Sequence, residues 1–138
     1  MLNQSNNTHK LEINRLFNCD SETLFKAIAE GGLFKSCGAN EDKMSIDFKV
    51  GGKYVLEWDK SDPTKGEFTE ILPFEKIGFT WEFYSELTET KMTTIVSINI
   101  QKVGNKSRLI LIHSGFSNIS QVDRHTHGWT AGLDNFGL

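Results

Sequence analysis

No stretch of this chain approaches the roughly 20 consecutive apolar residues that a membrane-spanning helix needs. The amino-terminal MLNQSNNTHK has no apolar core of the kind a signal peptide carries. Both absences point to a cytoplasmic protein with no membrane partner. They also leave the N-x-S/T sequons at Asn3, Asn6, Asn105 and Asn118 without use as glycan acceptors. Cysteine is scarce: Cys19 and Cys37 form no C-x-x-C pair and read as two reduced thiols. An excess of positive charge is missing too. The 15 basic and 18 acidic residues leave a net charge of −3, and no Lys/Arg run supplies the electrostatic footprint of nucleic-acid binding. No G-x-S-x-G elbow, phosphate-cradling G-x-x-x-x-G-K or dinucleotide-binding G-x-G-x-x-G occurs. Nothing in the sequence calls for a cofactor.

What the chain does hold is aromatic surface: ten Phe, three Trp and two Tyr among 138 residues, more than a tight interface of small aliphatics would use. Apolar residues at 38% and charged residues at 24% are ordinary for a globular protein, and the length fits one domain with a real core. Residues 1–8 are polar and read as a disordered tail, and 9–138 read as a single domain.

Hydrophobic period divides that domain. HKLEINRLF alternates, with Leu11, Ile13 and Arg15 on one face of a first strand. In CDSETLFKAIAE, Asp20 or Ser21 caps a helix whose apolar stripe is Leu24, Phe25 and Ile28. Gly31-Gly32 stops it, and a second short helix, LFKS, ends at Cys37-Gly38. From residue 44 the period is two. MSIDFKV reads as a strand ending at a Gly51-Gly52 sheet bend, and KYVLEW sets Tyr54, Leu56 and Trp58 on one face. EFTEIL follows a DKSDPTKG turn. KIGFTWEF aligns Ile77, Phe79, Trp81 and Phe83, MTTIVSINIQKV aligns Val96, Ile98 and Ile100, and SRLILIHS aligns Leu109, Leu111 and His113. Gly104-Asn105 makes a hairpin turn. A last helix, with Ser120 as its cap and Asp123 three residues on, places Val122, Trp129, Leu133 and Phe136 on one stripe. Strands that follow two helices and precede one long helix make an α+β fold, with the sheet's apolar face against the last helix.

FKVGGKYVLEW, then KGEFTEILPFEKIGFTWEF, then SRLILIHSGF and finally HGW resemble the START-like (SRPBCC) helix-grip superfamily. Within it the match is to the homologues of an activator of a heat-shock-protein ATPase, over roughly residues 9–138. The resemblance implies a curved seven-stranded antiparallel sheet wrapped around a long C-terminal helix, with a cavity between them. It also implies a chaperone, a homodimer partner and a stress-response role as alternatives to weigh. Two departures from many relatives bear on the cavity mouth: Cys37 stands where they carry Trp, and the last helix stops at Phe136-Gly137-Leu138.

Three candidate chemistries compete with plain packing: the H-x-H pair, His113 and the strand carboxylates. The two histidines of RHTHGWTAGL are two residues apart, about 200° around a helix, so they cannot share a metal there. His125 falls at the cavity edge and His127 in solvent, and no metal site is expected. His113 points inward and is a candidate base or polar hook for a ligand. A structural histidine bonded to the backbone, Ser114 or Ser120 is favoured. Glu57, Glu67 and Glu82 read as solvated strand residues. Glu70 shares the parity of Phe68 and is inward unless a bulge reverses it. Gly128 is expected to let the last helix approach the sheet, with Trp129 as its anchor.

The leading reading is a hydrophobic or amphipathic small molecule, lipid-like or aromatic, held by Tyr54, Trp58, Phe79, Trp81, Val96, Ile98, Leu111, His113, His125 and Trp129. The alternatives are a chaperone-ATPase regulator, and a cavity enzyme of cyclase or hydrolase type using His113 with Tyr54 or Glu70. No catalytic residue is assigned.

Overall fold

A computed structural model describes residues 9–86 and 88–138; the tail expected at 1–8 lies outside the described residues. The chain forms β1 (Lys10–Phe17), α1 (Ser21–Ala29), α2 (Gly32–Ser36), β2 (Ser45–Ile46), β3 (Lys53–Leu56), β4 (Thr64–Leu72), β5 (Lys76–Ser85), β6 (Thr90–Val103), β7 (Lys106–Ser114) and α3 (Ile119–Asp134). The strands make one seven-stranded antiparallel sheet in the order β1-β7-β6-β5-β4-β3-β2. This is the expected helix-grip architecture, with two short helices after the first strand. No helix among the described residues is long and apolar enough to cross a membrane.

Strand parity builds the core. Leu11, Phe79, Val96, Ile98, Leu109, Leu111 and His113 all face inward and are buried. Asp20 caps α1 by accepting from Thr23 N at 2.8 Å, and Leu24, Phe25 and Ile28 bury its inner face. Then α2 lowers Phe34 onto Tyr54, their rings stacked 5.3 Å apart, and edge-on to Phe79.

Three expectations are corrected. MSIDFKV is a strand only at Ser45–Ile46. At Asp47 the chain begins to reverse: Gly51 takes φ 85°, and a Cβ on Gly52 would overlap Asp47 O. The Phe48 ring is thereby free to turn under Phe25 and Phe68. The cap of α3 is Asn118, not Ser120. Its side chain accepts from Gln121 N at 3.0 Å, while Gln121 Oε1 accepts from Ser117 N at 2.9 Å. That reciprocal pair uses Gln where the sequence suggested Asp123, and it starts the helix earlier.

The third correction concerns the approach of α3. A Cβ on Gly128 would meet nothing within 4 Å, whereas one on Gly132 would overlap Cys37 Sγ and press on the Cys37 backbone at 3.3 Å. Gly132 is therefore where α3 closes on the end of α2. Gly132→Ala is expected to cost about 2 kcal/mol, as overpacking does, and Cys37→Ala in the same chain should return part of it. Urea melts of wild type, Gly132→Ala, Cys37→Ala and the double variant check this; a neutral Gly132→Ala refutes the close contact.

Candidate functional site

The end of β5, the loop after β3 and the first half of α3 diverge at one end of the molecule and line an open-mouthed cavity of about 780 Å³. Its apolar wall is Trp58, Trp81, Phe83 and Trp129, with Cys37 beside them and His125 projecting from α3. Its rim is charged: Asp59, Lys60, Asp62, Glu86 and Arg124. Burial pushes the Cys37 thiol up to about 12, so it stays protonated and unreactive at neutral pH.

Of the ten residues expected to contact a ligand, four border this space: Trp58, Trp81, His125 and Trp129. The other six, Tyr54, Phe79, Val96, Ile98, Leu111 and His113, are each at most 1% exposed and pack behind the wall. Strand parity put Tyr54, Phe79, Trp81, Val96, Ile98, Leu111 and His113 on the inner face, and helical rotation did so for Trp129 with His125 at its edge; depth within the molecule separates those that border the cavity from those packed behind it. Phe83 borders the cavity and shares the parity of Trp81 in KIGFTWEF, so the signal for it was present. Cys37, which the resemblance set at the cavity mouth, also borders it, as do Gln121 and Arg124, which nothing local in the sequence marks.

His113 is the centre of a closed hydrogen-bond chain. Trp129 Nε1 has only a hydrogen to offer and donates it to His113 Nδ1 at 3.0 Å. The neutral ring therefore carries its proton on Nε2, which donates to Thr94 Oγ1 at 2.7 Å. The Thr94 hydroxyl passes its own hydrogen to Trp81 O at 2.9 Å. Thr94 stands opposite Trp81 in the β5–β6 register and His113 opposite Val96 in the β6–β7 register, so the pleat brings them together. The partners are thus Thr94 and Trp129, not the Ser114, Ser120 or backbone groups expected. Burial first, and His125 nearby second, hold the imidazole of His113 down to about 2. With both nitrogens occupied and the ring neutral, His113 has no lone pair for a substrate.

The enzyme arrangement suggested by the sequence is not assembled. The Tyr54 hydroxyl donates to Thr80 O, and burial raises its pKa. A bulge between Phe68 and Glu70 turns Glu70 outward, where it pairs with Lys76 at 2.9 Å.

His125 differs from His113. Its Nδ1–H donates to Gln121 O at 2.9 Å, one helical turn back, so the neutral ring leaves Nε2 as an acceptor. Desolvation lowers its pKa, aided by the Arg124 charge, while the bond to Gln121 opposes the shift. Its ring packs edge-on against Phe83 at 4.6 Å and His113 at 5.1 Å. His127 is exposed on the opposite side of α3, as helical rotation required.

A family model described as Activator of Hsp90 ATPase homolog 1-like protein matches residues 18–137. Among solved structures, an HSP90 activator from Plasmodium falciparum is 30% identical, with 92% of this chain and 89% of that chain aligned and a TM-score of 0.67. A protein from Silicibacter pomeroyi that bears the family's name is 25% identical, over 91% and 93% of the two chains, with a TM-score of 0.74. A protein from Mesorhizobium loti has a TM-score of 0.80 over 92% and 93% of the chains at 16% identity, a likeness of fold alone. No curated protein matches the chain.

Proposed function

Because this chain belongs to the Activator of Hsp90 ATPase homolog 1-like family and keeps an aromatic cavity under its last helix, we propose that it binds a hydrophobic or amphipathic small molecule there. The observation that carries this reading is the cavity itself. Its volume of about 780 Å³ lies in the range of small-molecule sites, and it sets the aromatic rings of Trp58, Trp81, Phe83 and Trp129 beside polar and charged side chains in about equal share, a lining suited to an amphipathic molecule. Trp58, Trp81, Phe83, His125 and Trp129 would contact the ligand, and Tyr54, Phe79, Val96, Ile98, Leu111 and His113 would hold that wall in place.

Native mass spectrometry of gently purified protein should show a bound small molecule, and a library of lipids and aromatics should include compounds that raise Tm. An empty protein that no compound stabilises would remove the reading. Gly128 offers a sharper test, since it borders the cavity and a Cβ there meets open space. Gly128→Leu should raise stability by about 0.5–1 kcal/mol through helix propensity while filling the mouth and weakening binding at least fivefold. Unchanged binding in a folded Gly128→Leu protein places the ligand elsewhere.

A second reading, regulation of a chaperone ATPase, is supported by the 30% identity to the Plasmodium falciparum HSP90 activator. It is checked by the turnover of a purified HSP90 with and without this chain. A rise supports it and an unchanged turnover removes it.

A further inference from the structure

Gln121 ties the start of α3 to the sheet. It is 4% exposed, and its side chain is fully committed. Oε1 accepts from Ser117 N at 2.9 Å. The two Nε2 hydrogens go to Ser85 Oγ on β5 at 2.8 Å and to Met92 Sδ on β6 at 3.1 Å. Gln121 and Ser85 border the cavity, and Met92 stands opposite the wall residue Phe83 in the β5–β6 register. One buried amide thus sets where α3 stands over the cavity mouth.

Met92 is the unusual partner in that joint. A thioether sulfur is a weak acceptor, yet this one takes a second donor, the hydroxyl of exposed Ser117 at 3.6 Å. Met92 itself is half-buried. One side of its sulfur meets the buried Gln121 amide, the other Ser117 and solvent. Met44 supplies the comparison. It is also half-buried, but its sulfur packs over Gly31 beside Ile46, and no donor among the described residues reaches it.

We propose that Met92 is a modification site: hydrogen peroxide oxidises it to the sulfoxide, and the sulfoxide loosens α3 at the cavity mouth. The lone pair on the Ser117 side attacks one peroxide oxygen, and the O–O bond breaks. The sulfur loses two electrons and the peroxide gains them. The proton on the transferred oxygen joins the departing hydroxide, leaving sulfoxide and water. Ser117 Oγ–H, already beside the sulfur, donates to the departing oxygen and afterwards to the sulfoxide oxygen. The sulfur now carries partial positive charge, so it repels the Gln121 N–H it used to accept. A buried donor loses its partner where α3, β5 and β6 meet. Methionine sulfoxide is enzymatically reducible, so the change is reversible. None of this depends on what the cavity binds.

The test treats wild type, Met92→Leu and Ser117→Ala with limiting hydrogen peroxide and follows each methionine by peptide mass spectrometry. Met92 should oxidise about fivefold faster than Met44, the worth of one hydrogen bond in the transition state, and Ser117→Ala should remove that lead. Oxidised wild type should lose about 4 °C in Tm, with faster amide exchange at the start of α3. Met92→Leu keeps the volume but offers Gln121 no acceptor, so it starts from a lower Tm, which peroxide should leave unchanged. Methionine sulfoxide reductases with dithiothreitol should restore wild type; dithiothreitol alone, which reverses cysteine disulfides, should not. Met44 oxidising as fast as Met92 overturns the proposal. So does a Met92 sulfoxide whose Tm and exchange match the reduced protein.

Discussion

Replacing His113 with alanine is expected to destabilise the protein by about 4 kcal/mol. The side chain is fully buried, between Trp81, Phe116, His125 and Trp129. Removing it leaves a void that the surrounding sheet and α3 cannot close, and void formation at such sites costs about 2–3 kcal/mol. It also strands the Trp129 Nε1–H, whose only partner is His113 Nδ1, at about 1–2 kcal/mol more. Thr94 suffers less, because its hydroxyl keeps Trp81 O as an acceptor. His113→Phe separates the two contributions: it restores the volume and leaves only the stranded indole, for an expected loss of about 2 kcal/mol. Chemical denaturation of the three proteins gives both values. If the alanine variant stays within about 1 kcal/mol of wild type, the Thr94–His113–Trp129 chain is not what anchors α3 to the sheet. A purely catalytic histidine would give that mild result.

Acid should unfold this protein early, and His113 is the reason. An ordinary histidine titrates near 6.5, whereas burial takes His113 down to about 2 in the folded state. Between those two values the unfolded chain holds one proton that the folded chain refuses. Stability is therefore complete above about pH 6.5 and falls as the pH drops, by about 1.4 kcal/mol per unit. From neutrality to about pH 4.5 the loss from His113 alone is about 3 kcal/mol. His125 acts in the same direction, since its pKa is also lowered. Carboxylates held down in the folded state contribute at lower pH: the N-cap bond to Thr23 lowers Asp20 from an ordinary value of 3.8. The window from about pH 6 to 4.5 thus isolates the histidines. Stability measured across it in wild type and in His113→Phe should differ in slope by nearly one proton. Parallel curves would mean that the folded protein accommodates a charged His113.

How much of this was legible beforehand varies from element to element. β5, β6 and β7 follow their alternation closely, because a sheet with one buried face imprints a period of two on its strands, whereas β4 begins at Thr64, inside the stretch read as a turn, and loses the period at its bulge. The separation of His125 from His127 follows from helical rotation alone. Where the reading slipped, a long-range partner had overruled a local signal. Ser120 and Asn118 are both sound caps in isolation; the reach of Gln121 back to Ser117 N decided between them. Gly128 and Gly132 are indistinguishable as helix glycines, and only the position of Cys37, nearly a hundred residues earlier, shows which one closes on a neighbour. Glu70 had the parity of an inward acid until a bulge spent one residue and turned it to Lys76.

The sequence by itself determined the order of elements, the face each side chain presents and membership of a fold that grips a C-terminal helix. Those follow from period, turn chemistry and burial, which act over a few neighbouring residues. The tertiary structure alone decided which inward residues wall the cavity and which lie packed behind it. It alone decided that His113 is spent on Thr94 and Trp129, and that Trp81 Nε1 is left without a partner among the described residues. Hydrogen-bond satisfaction and cavity shape depend on groups brought together from β5, β6, β7 and α3, and no local stretch of the chain encodes such a meeting.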